Sequence, residues 1–385
     1  MRSRRGRNPR VLLLLHEMTR TGAPLLALRI FRELRGRHDL RIVAETGGNL
    51  EEDFKSLAHL TVLTKRPPVT LLPGVFRDSP MVAKAYGRLR MPIEGWRARR
   101  WRPDVVYANS VVALPLVERM GLESFPVLVH VHELSLMQAN FEASYPGLLR
   151  RVPRRYVAVS EAVASALRDE QGVRSESIAV IPPFVEVPTN PNARNRGQPF
   201  VVGGVGNPSW TKGVDLWLLA ARDVIDRLGA DKVRFRWVGL RDNEEGRHFR
   251  AMVKKLAVGA SVDLVPETEN PSSELAGFDV LAVSSWEESA SLAALEAMAL
   301  SVPVVCFLGS GGPPELIGDA GVVVDTFSPS QFADAIAALL MDDARRGALG
   351  VAGRARVVSY FRSEQSILQL ADEIRSTMTR YTPHP

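Results

Sequence analysis

The stretch WEESASLAALEAMA, residues 286–299, closes a polar turn and opens an apolar helix. Its last eight residues are Ala, Leu and Met apart from one carboxylate, Glu296, and the turn ahead of them holds Glu287 and Glu288. An ionised carboxylate on an apolar helix face is costly unless hydrogen bonds satisfy it, and the partner need not be protein. Immediately before stands FDVLAVSS (278–285), an apolar run of strand type. The turn therefore leaves the carboxyl end of a strand, which is where open α/β sheets bind ligands.

Outward from this point, short apolar runs alternate with helical patterns along the whole chain, predicting parallel sheets covered by helices. Strands are expected at VLLLL (11–15), LRIVA (40–44), DVVYA (104–108), VLVHV (127–131) and YVAVS (156–160). The stretch 181–199 then interrupts the rhythm with five prolines and reads as a linker. The pattern restarts with FVVGGVG (200–206), VRFRWVG (233–239), SVDLVP (261–266), FDVLAVSS and VPVVCF (302–307). The fold class is α/β, with an N-terminal domain over 1–183, a linker over 184–199, a second domain over 200–361 and a cleft between the two.

Length supports this division, since 385 residues exceed one ordinary core. With 45% hydrophobic and 24% charged residues the composition is that of a soluble globular protein. The first aliphatic run, 11–15, is too short to span a bilayer and lacks the features of a signal peptide, so the expected location is the cytoplasm. Cys306 lies in an apolar run and reads as a buried thiol. Charge is uneven: residues 1–180 carry 29 Lys and Arg against 18 Asp and Glu, the remainder 20 against 25. The patches MRSRRGRNPR (1–10) and WRARRWRP (96–103), the latter with two tryptophans, suit a peripheral contact with anionic lipid headgroups. No nucleic-acid motif accompanies them.

The turn after FDVLAVSS suggests its own chemistry. Ser289, Ala290 and Ser291 are small, and serines there cap a helix while leaving its first N–H groups open to an anion. Glu288 and Glu296 would repel a phosphate but accept hydrogen bonds from hydroxyls. A nucleotide sugar offers both, with hydroxyls on either side of a diphosphate.

Glu288 and Glu296, separated by seven residues, resemble the E-x7-E motif of retaining glycosyltransferases of family four (glycosyl transferases group 1), which have the GT-B fold. GVGNPSWTKGVDLWLLAA (204–221), FRWVGL (235–240), SVPVVCFLGSGGPPELI (301–317), RPDVVYANS (102–110) and AVSEAVASAL (158–167) resemble further segments of that family, in the same order. The resemblance implies two Rossmann-like domains facing a central cleft, with a last helix (362–385) returning to the first domain. It also implies that Glu296 binds the ribose, Glu288 the donor sugar and Lys212 the diphosphate, with Gly22 in a loop facing the donor phosphate. His132 matches a family histidine beside the transferred sugar. His130 shares its strand face, and His132 is chosen because it lies nearer the strand's carboxyl end. Glu133 would orient the acceptor or face solvent. SVDLVPETE (261–269) would line the base pocket. Two departures stand out: Asn207 occupies the place of a usual arginine, and Ser289-Ala290-Ser291 replaces a Gly-Phe-Gly-like turn.

The expected activity is metal-independent transfer of a hexose from a UDP- or GDP-sugar to a hydroxyl acceptor, with retained configuration and no other cofactor. No Asp-x-Asp motif is present to carry a metal bridge. Lys212, the Gly22 loop and a helix beginning at Ser289 would stabilise the leaving group. Two other readings remain. GGVGNPS (203–209) approaches a dinucleotide fingerprint but has Ser209 for the third glycine, arguing against a nicotinamide oxidoreductase. A non-catalytic sugar-nucleotide-binding protein is the other.

Overall fold

A computed structural model describes residues 7–64, 80–189, 199–268 and 270–379. Two compact units divide the chain: residues up to Ile181 together with those from Ser366 onward, and Pro182–Gln365. The first holds a seven-stranded parallel sheet of order β3-β2-β1-β4-β5-β6-β7, and the second a six-stranded one of order β10-β9-β8-β11-β12-β13. These are β1 Arg10–Leu15, β2 Asp39–Ala44, β3 His59–Val62, β4 Val105–Asn109, β5 Val127–Val131, β6 Arg155–Ala158, β7 Ile178–Val180, β8 Phe200–Val205, β9 Val233–Leu240, β10 Val262–Pro266, β11 Val280–Val283, β12 Val304–Phe307 and β13 Val322–Val324.

The central strands read as unbroken apolar runs because helices cover both faces. Val11–Leu15 of β1 are almost wholly buried, and so is every residue of β4, β5 and β12. All ten expected strands are present. The three unforeseen ones, β3, β7 and β13, have three or four residues and lie at sheet edges. Half-exposed and short, they lack the apolar run that marks an inner strand.

Each sheet reverses its strand order once, between β1 and β4 and between β8 and β11. Such a switch point opens a crevice beyond the strands' carboxyl ends. The residues expected to carry function follow β1, β5, β8 and β11.

Residues 184–189 are not free linker. Phe184 and Val185 are buried, Val185 in the core of the second unit, Val185 N–H donates to Phe361 O (3.2 Å), and Arg354 donates to Pro188 O (2.6 Å). Residues 190–198 of the expected linker lie outside the described residues. From Ser366 the helix Ser363–Thr379 belongs to the first unit, where Glu373 pairs with Arg155 at 2.6 Å.

Candidate active site

In the second unit, Gly206 follows β8 and the chain makes one tight turn, Trp210–Lys212, before the helix Val214–Leu228. Gly213 joins turn to helix in the left-handed conformation (φ +59°), and a Cβ there would lie 2.0 Å from Ser284 O. No side chain fits, so the turn is pressed against the end of β11. Ser284 Oγ donates to Lys212 O (2.9 Å) and fastens the same contact. Lys212 is thereby aimed across the switch point, and its Nζ forms an ion pair with Glu288. Gly206 leaves room for the lysine stem, since a Cβ would meet Lys212 Cε at 3.2 Å.

Glu288 is held from three directions. Ser285 Oγ donates to its Oε2 (3.1 Å). Its backbone N–H donates to Ser310 O (2.8 Å), and its carbonyl accepts from Gly312 N–H (2.9 Å), forming a single parallel bridge to the turn after β12. A Cβ on Gly312 would sit 2.1 Å from Ser289 O, so this second glycine admits the close approach of the two turns.

The helix carrying Glu296 starts later than expected. It spans Leu292–Ala299, and Ser291, not Ser289, caps it by accepting from Ala294 N–H (3.2 Å). Ser289 and Ala290 remain in the extended turn because Glu288 is tied to the neighbouring strand end. Glu296 is half-buried on this helix. Asn207 turns its amide to Glu245 (3.1 Å), in the first turn of Glu244–Lys255. The position that carries a cation in the resembling family thus holds a neutral side chain engaged with a carboxylate.

The dinucleotide-like glycines have a packing origin. A Cβ on Gly203 would meet the Phe278 ring at 2.0 Å, and one on Gly204 would meet Trp237 at 2.3 Å. Large aromatic side chains fill both faces of β8, which accounts for the fingerprint without a dinucleotide.

In the first unit, Gly22 is the exposed first residue of the helix Gly22–Glu33, and a Cβ there would meet nothing within 4 Å. Thr21 makes no side-chain cap; its hydroxyl and that of Thr19 (2.7 Å) donate to Glu17 instead. The hydrogen bond from His16, assisted by these hydroxyls, lowers the Glu17 carboxyl to about 2. Between β4 and β5, Tyr107 Oη and His130 Nδ1 share a buried hydrogen bond (2.6 Å), while His132 Nε2 lies 3.2 Å from Asn109 Oδ1. The two imidazole rings lie with centroids 4.4 Å apart, tilted by 38° to one another. Burial keeps both neutral, taking His130 to about 3 and His132 well below its ordinary range. His130 is fully buried and His132 half-buried, so of the pair His132 is the one open to a ligand.

Glu133 is half-buried, and its carboxylate is engaged within the chain. Its carboxylate accepts from Ser110 Oγ (2.5 Å), His132 N–H (2.9 Å) and Val111 N–H (3.3 Å), tying the end of β5 to the turn after β4. Burial raises its carboxyl against these stabilising bonds. Ser110 occupies φ +85°, a strained conformation for a residue with a side chain, at the same junction. Sequence reasoning did not single out Ser284, Ser285, Ser310 and Ser110. Their signal is positional: each follows the carboxyl end of a strand.

Two sheets of this order, with a lysine and a glutamate meeting beyond a switch point, define the GT-B class of α/β proteins. The chain belongs to the family four, group 1 glycosyltransferases: the description Glycosyltransferase Family 4 matches residues 21–187, and Glycosyl transferases group 1 matches 199–342. A D-inositol 3-phosphate glycosyltransferase of Corynebacterium jeikeium is 30% identical over 221 residues, covering 51% of this chain and 52% of that protein. A GDP-mannose-dependent alpha-(1-6)-phosphatidylinositol monomannoside mannosyltransferase of Mycobacterium tuberculosis is 40% identical over 102 residues, 26% and 24% of the two chains. The match thus spans about half the length of the former relative and a quarter of the latter. Among solved structures, Anabaena HepE in complex with UDP and glucose has a TM-score of 0.77 at 19% identity, covering 95% of this chain and 99% of that one. That likeness establishes the fold.

Proposed function

We propose that the protein transfers a hexose from a nucleoside diphosphate sugar to a hydroxyl acceptor, with retention of configuration. The observation that carries the proposal is the pairing of Lys212 with Glu288 beyond the β8/β11 switch point. A bound diphosphate would replace Glu288 as the partner of the Lys212 ammonium, freeing the carboxylate to accept hydrogen bonds from the sugar hydroxyls. The amides beginning the Ser291-capped helix add positive potential, and Glu296 on that helix would bind the ribose. Gly22 leaves space for a phosphate oxygen at the start of its helix. His132, held neutral, is suited to hydrogen-bond a sugar hydroxyl without adding charge.

In the proposed step the C1–O bond to the diphosphate breaks, and the acceptor oxygen bonds C1 from the same face. The acceptor proton passes to the departing phosphate oxygen. No side-chain nucleophile and no metal is used. The UDP and glucose of the HepE complex and the GDP-mannose in the name of the mycobacterial relative support a nucleotide-sugar donor. The acceptor proposed is a cell-envelope, lipid-linked or natural-product hydroxyl, met in the cytoplasm at an anionic membrane surface.

Thermal-shift screening against UDP- and GDP-sugars, followed by nucleoside diphosphate release with acceptors, tests the proposal. Binding to the native state raises the melting temperature of the correct pair. A covalent glycosyl-enzyme trapped in Glu288→Gln would refute the single-displacement chemistry. A second reading, a non-catalytic sugar-nucleotide-binding protein, is favoured by Asn207 being neutral and engaged with Glu245. Calorimetric donor binding without nucleoside diphosphate release across an acceptor panel would select it.

A further inference from the structure

The helix Pro80–Trp101 turns Met91, Glu94, Gly95, Ala98 and Trp101 inward. Gly95 packs so closely that a Cβ would lie 2.4 Å from Met120 O, and Arg99 donates to the same carbonyl. The helix is therefore fixed by one face, and its opposite face is unusual. Leu89, Ile93 and Trp96 are 74%, 53% and 56% exposed, and with Arg100 they are spaced by four, three and four residues. That spacing sets them in one stripe along the helix. The exposed Pro92 ring adds apolar surface beside it.

Arginines border the stripe. Arg97 pairs with the buried Glu94 (2.8 Å), whereas Arg100 lies 5.9 Å from the Trp96 ring centroid and Arg41 lies 4.7 Å from that of Trp101. Among the described residues neither Arg41 nor Arg100 nor Arg88 has a carboxylate partner. Arg41, Arg97 and Arg100, with Arg10 and His59, line an open cavity of about 730 Å³ along the flank of the helix, and Trp96 of the stripe lines it too.

We infer that this face is a docking surface for a lipid bilayer bearing anionic phosphate headgroups. Leu89, Ile93 and Trp96 enter the headgroup boundary, and Arg41 and Arg100 receive headgroup phosphates. An exposed apolar stripe edged by cations matches an interfacial helix lying in the plane of a membrane. A second copy fits the same face poorly, because a two-fold contact would bring unneutralised arginines together. A nucleic acid would satisfy the arginines and leave the leucine and isoleucine unused. The inference rests on the membrane part of the reading above and is independent of the sugar chemistry.

The test is co-sedimentation of the full chain, without donor, on phosphatidylcholine vesicles with and without phosphatidylglycerol at near-physiological salt. Binding is expected on the anionic vesicles alone, with a blue shift in tryptophan emission. The triple variant L89S/I93S/W96S should lose both. R41Q/R100Q should weaken binding by about fivefold for each charge removed. The triple variant alters exposed positions and Arg41 is half-buried, so an unchanged melting temperature with unchanged release of nucleoside diphosphate from a soluble donor and acceptor separates lost docking from lost fold or chemistry. Equal binding to both vesicle types, undiminished binding of the triple variant, displacement of vesicles by millimolar glycerol phosphate, or comparable binding of a labelled oligonucleotide through the same arginines would overturn the inference.

Discussion

Gly213→Ala and Gly22→Ala form a matched pair whose outcomes the structure sets far apart. At position 213 the added methyl must accept φ +59°, which costs a residue with a Cβ roughly 1–2 kcal/mol. It must also displace Ser284 O, because a 2.0 Å separation from a backbone atom is untenable. Relief requires movement of either the Trp210–Lys212 turn or the end of β11, and losses from such strain reach about 3–5 kcal/mol in total. For a unit of this size that corresponds to a melting temperature lower by roughly 10 °C. At position 22 the methyl meets no atom within 4 Å, and alanine in a helix gains up to about 0.5–1 kcal/mol over glycine. Gly22→Ala should therefore melt at or slightly above the parent temperature, while on the proposed function it weakens donor binding by crowding a phosphate oxygen. Calorimetry of both variants, with and without the best nucleotide sugar, reads all four quantities. A Gly213→Ala protein melting within about 2 °C of the parent would refute the close approach on which the placement of Lys212 depends.

Other outcomes follow from the same geometry. Lys212→Gln and Glu288→Gln should each reduce turnover by about 10²–10³, as the loss of one preorganised electrostatic partner does elsewhere, with melting temperatures changed little; steady-state nucleoside diphosphate release measures this. Ser291→Ala should cost about 1 kcal/mol of urea stability through the lost cap on Leu292–Ala299. Stability should fall as the pH drops from 6.5 towards 3. In that window the unfolded chain protonates at His130 while the folded chain, holding it at about 3, does not. Below 4.5 Glu17 adds a loss of the same sign, since its folded carboxyl titrates near 2 and the unfolded one higher. Urea midpoints across this range check the slope, which should become shallower above 4.5 in His130→Asn, the remainder coming from His132 and His38, which burial also holds below the ordinary imidazole range.

Much of this was legible in the sequence because inner parallel strands are buried on both faces and must be apolar throughout. VLLLL and VPVVCF cannot be mistaken, and their ends locate the site. HLTV, IAV and VVV escaped notice because an edge strand needs only one neighbour and few residues. Within the site, the types Lys212 and Glu288 were evident, but their direct pairing was not. It depends on Gly213 and Ser284, which are 71 positions apart and carry no pattern of their own. The start of the Glu296 helix was misjudged by three residues for a related reason. Ser289 is as good a cap by type as Ser291, and the bridge from Glu288 to the Ser310–Gly312 turn decides between them. Glu133 shows another limit of sequence: its type and place suggested solvent or substrate, and gave no sign of the three local donors that its carboxylate accepts from.

The bridge between Glu288 and the turn after β12 gives a handle for altering what the protein accepts. A carboxylate whose main chain is pinned on both sides by another crossover cannot drift when its own neighbours are varied, so diversifying 289–291 reshapes the surroundings while the acid stays in place. Substitutions in 308–312 would instead carry the acid bodily with its anchor. A search for new donor preference therefore has two separable controls, one for the walls and one for the reference point from which the walls are measured.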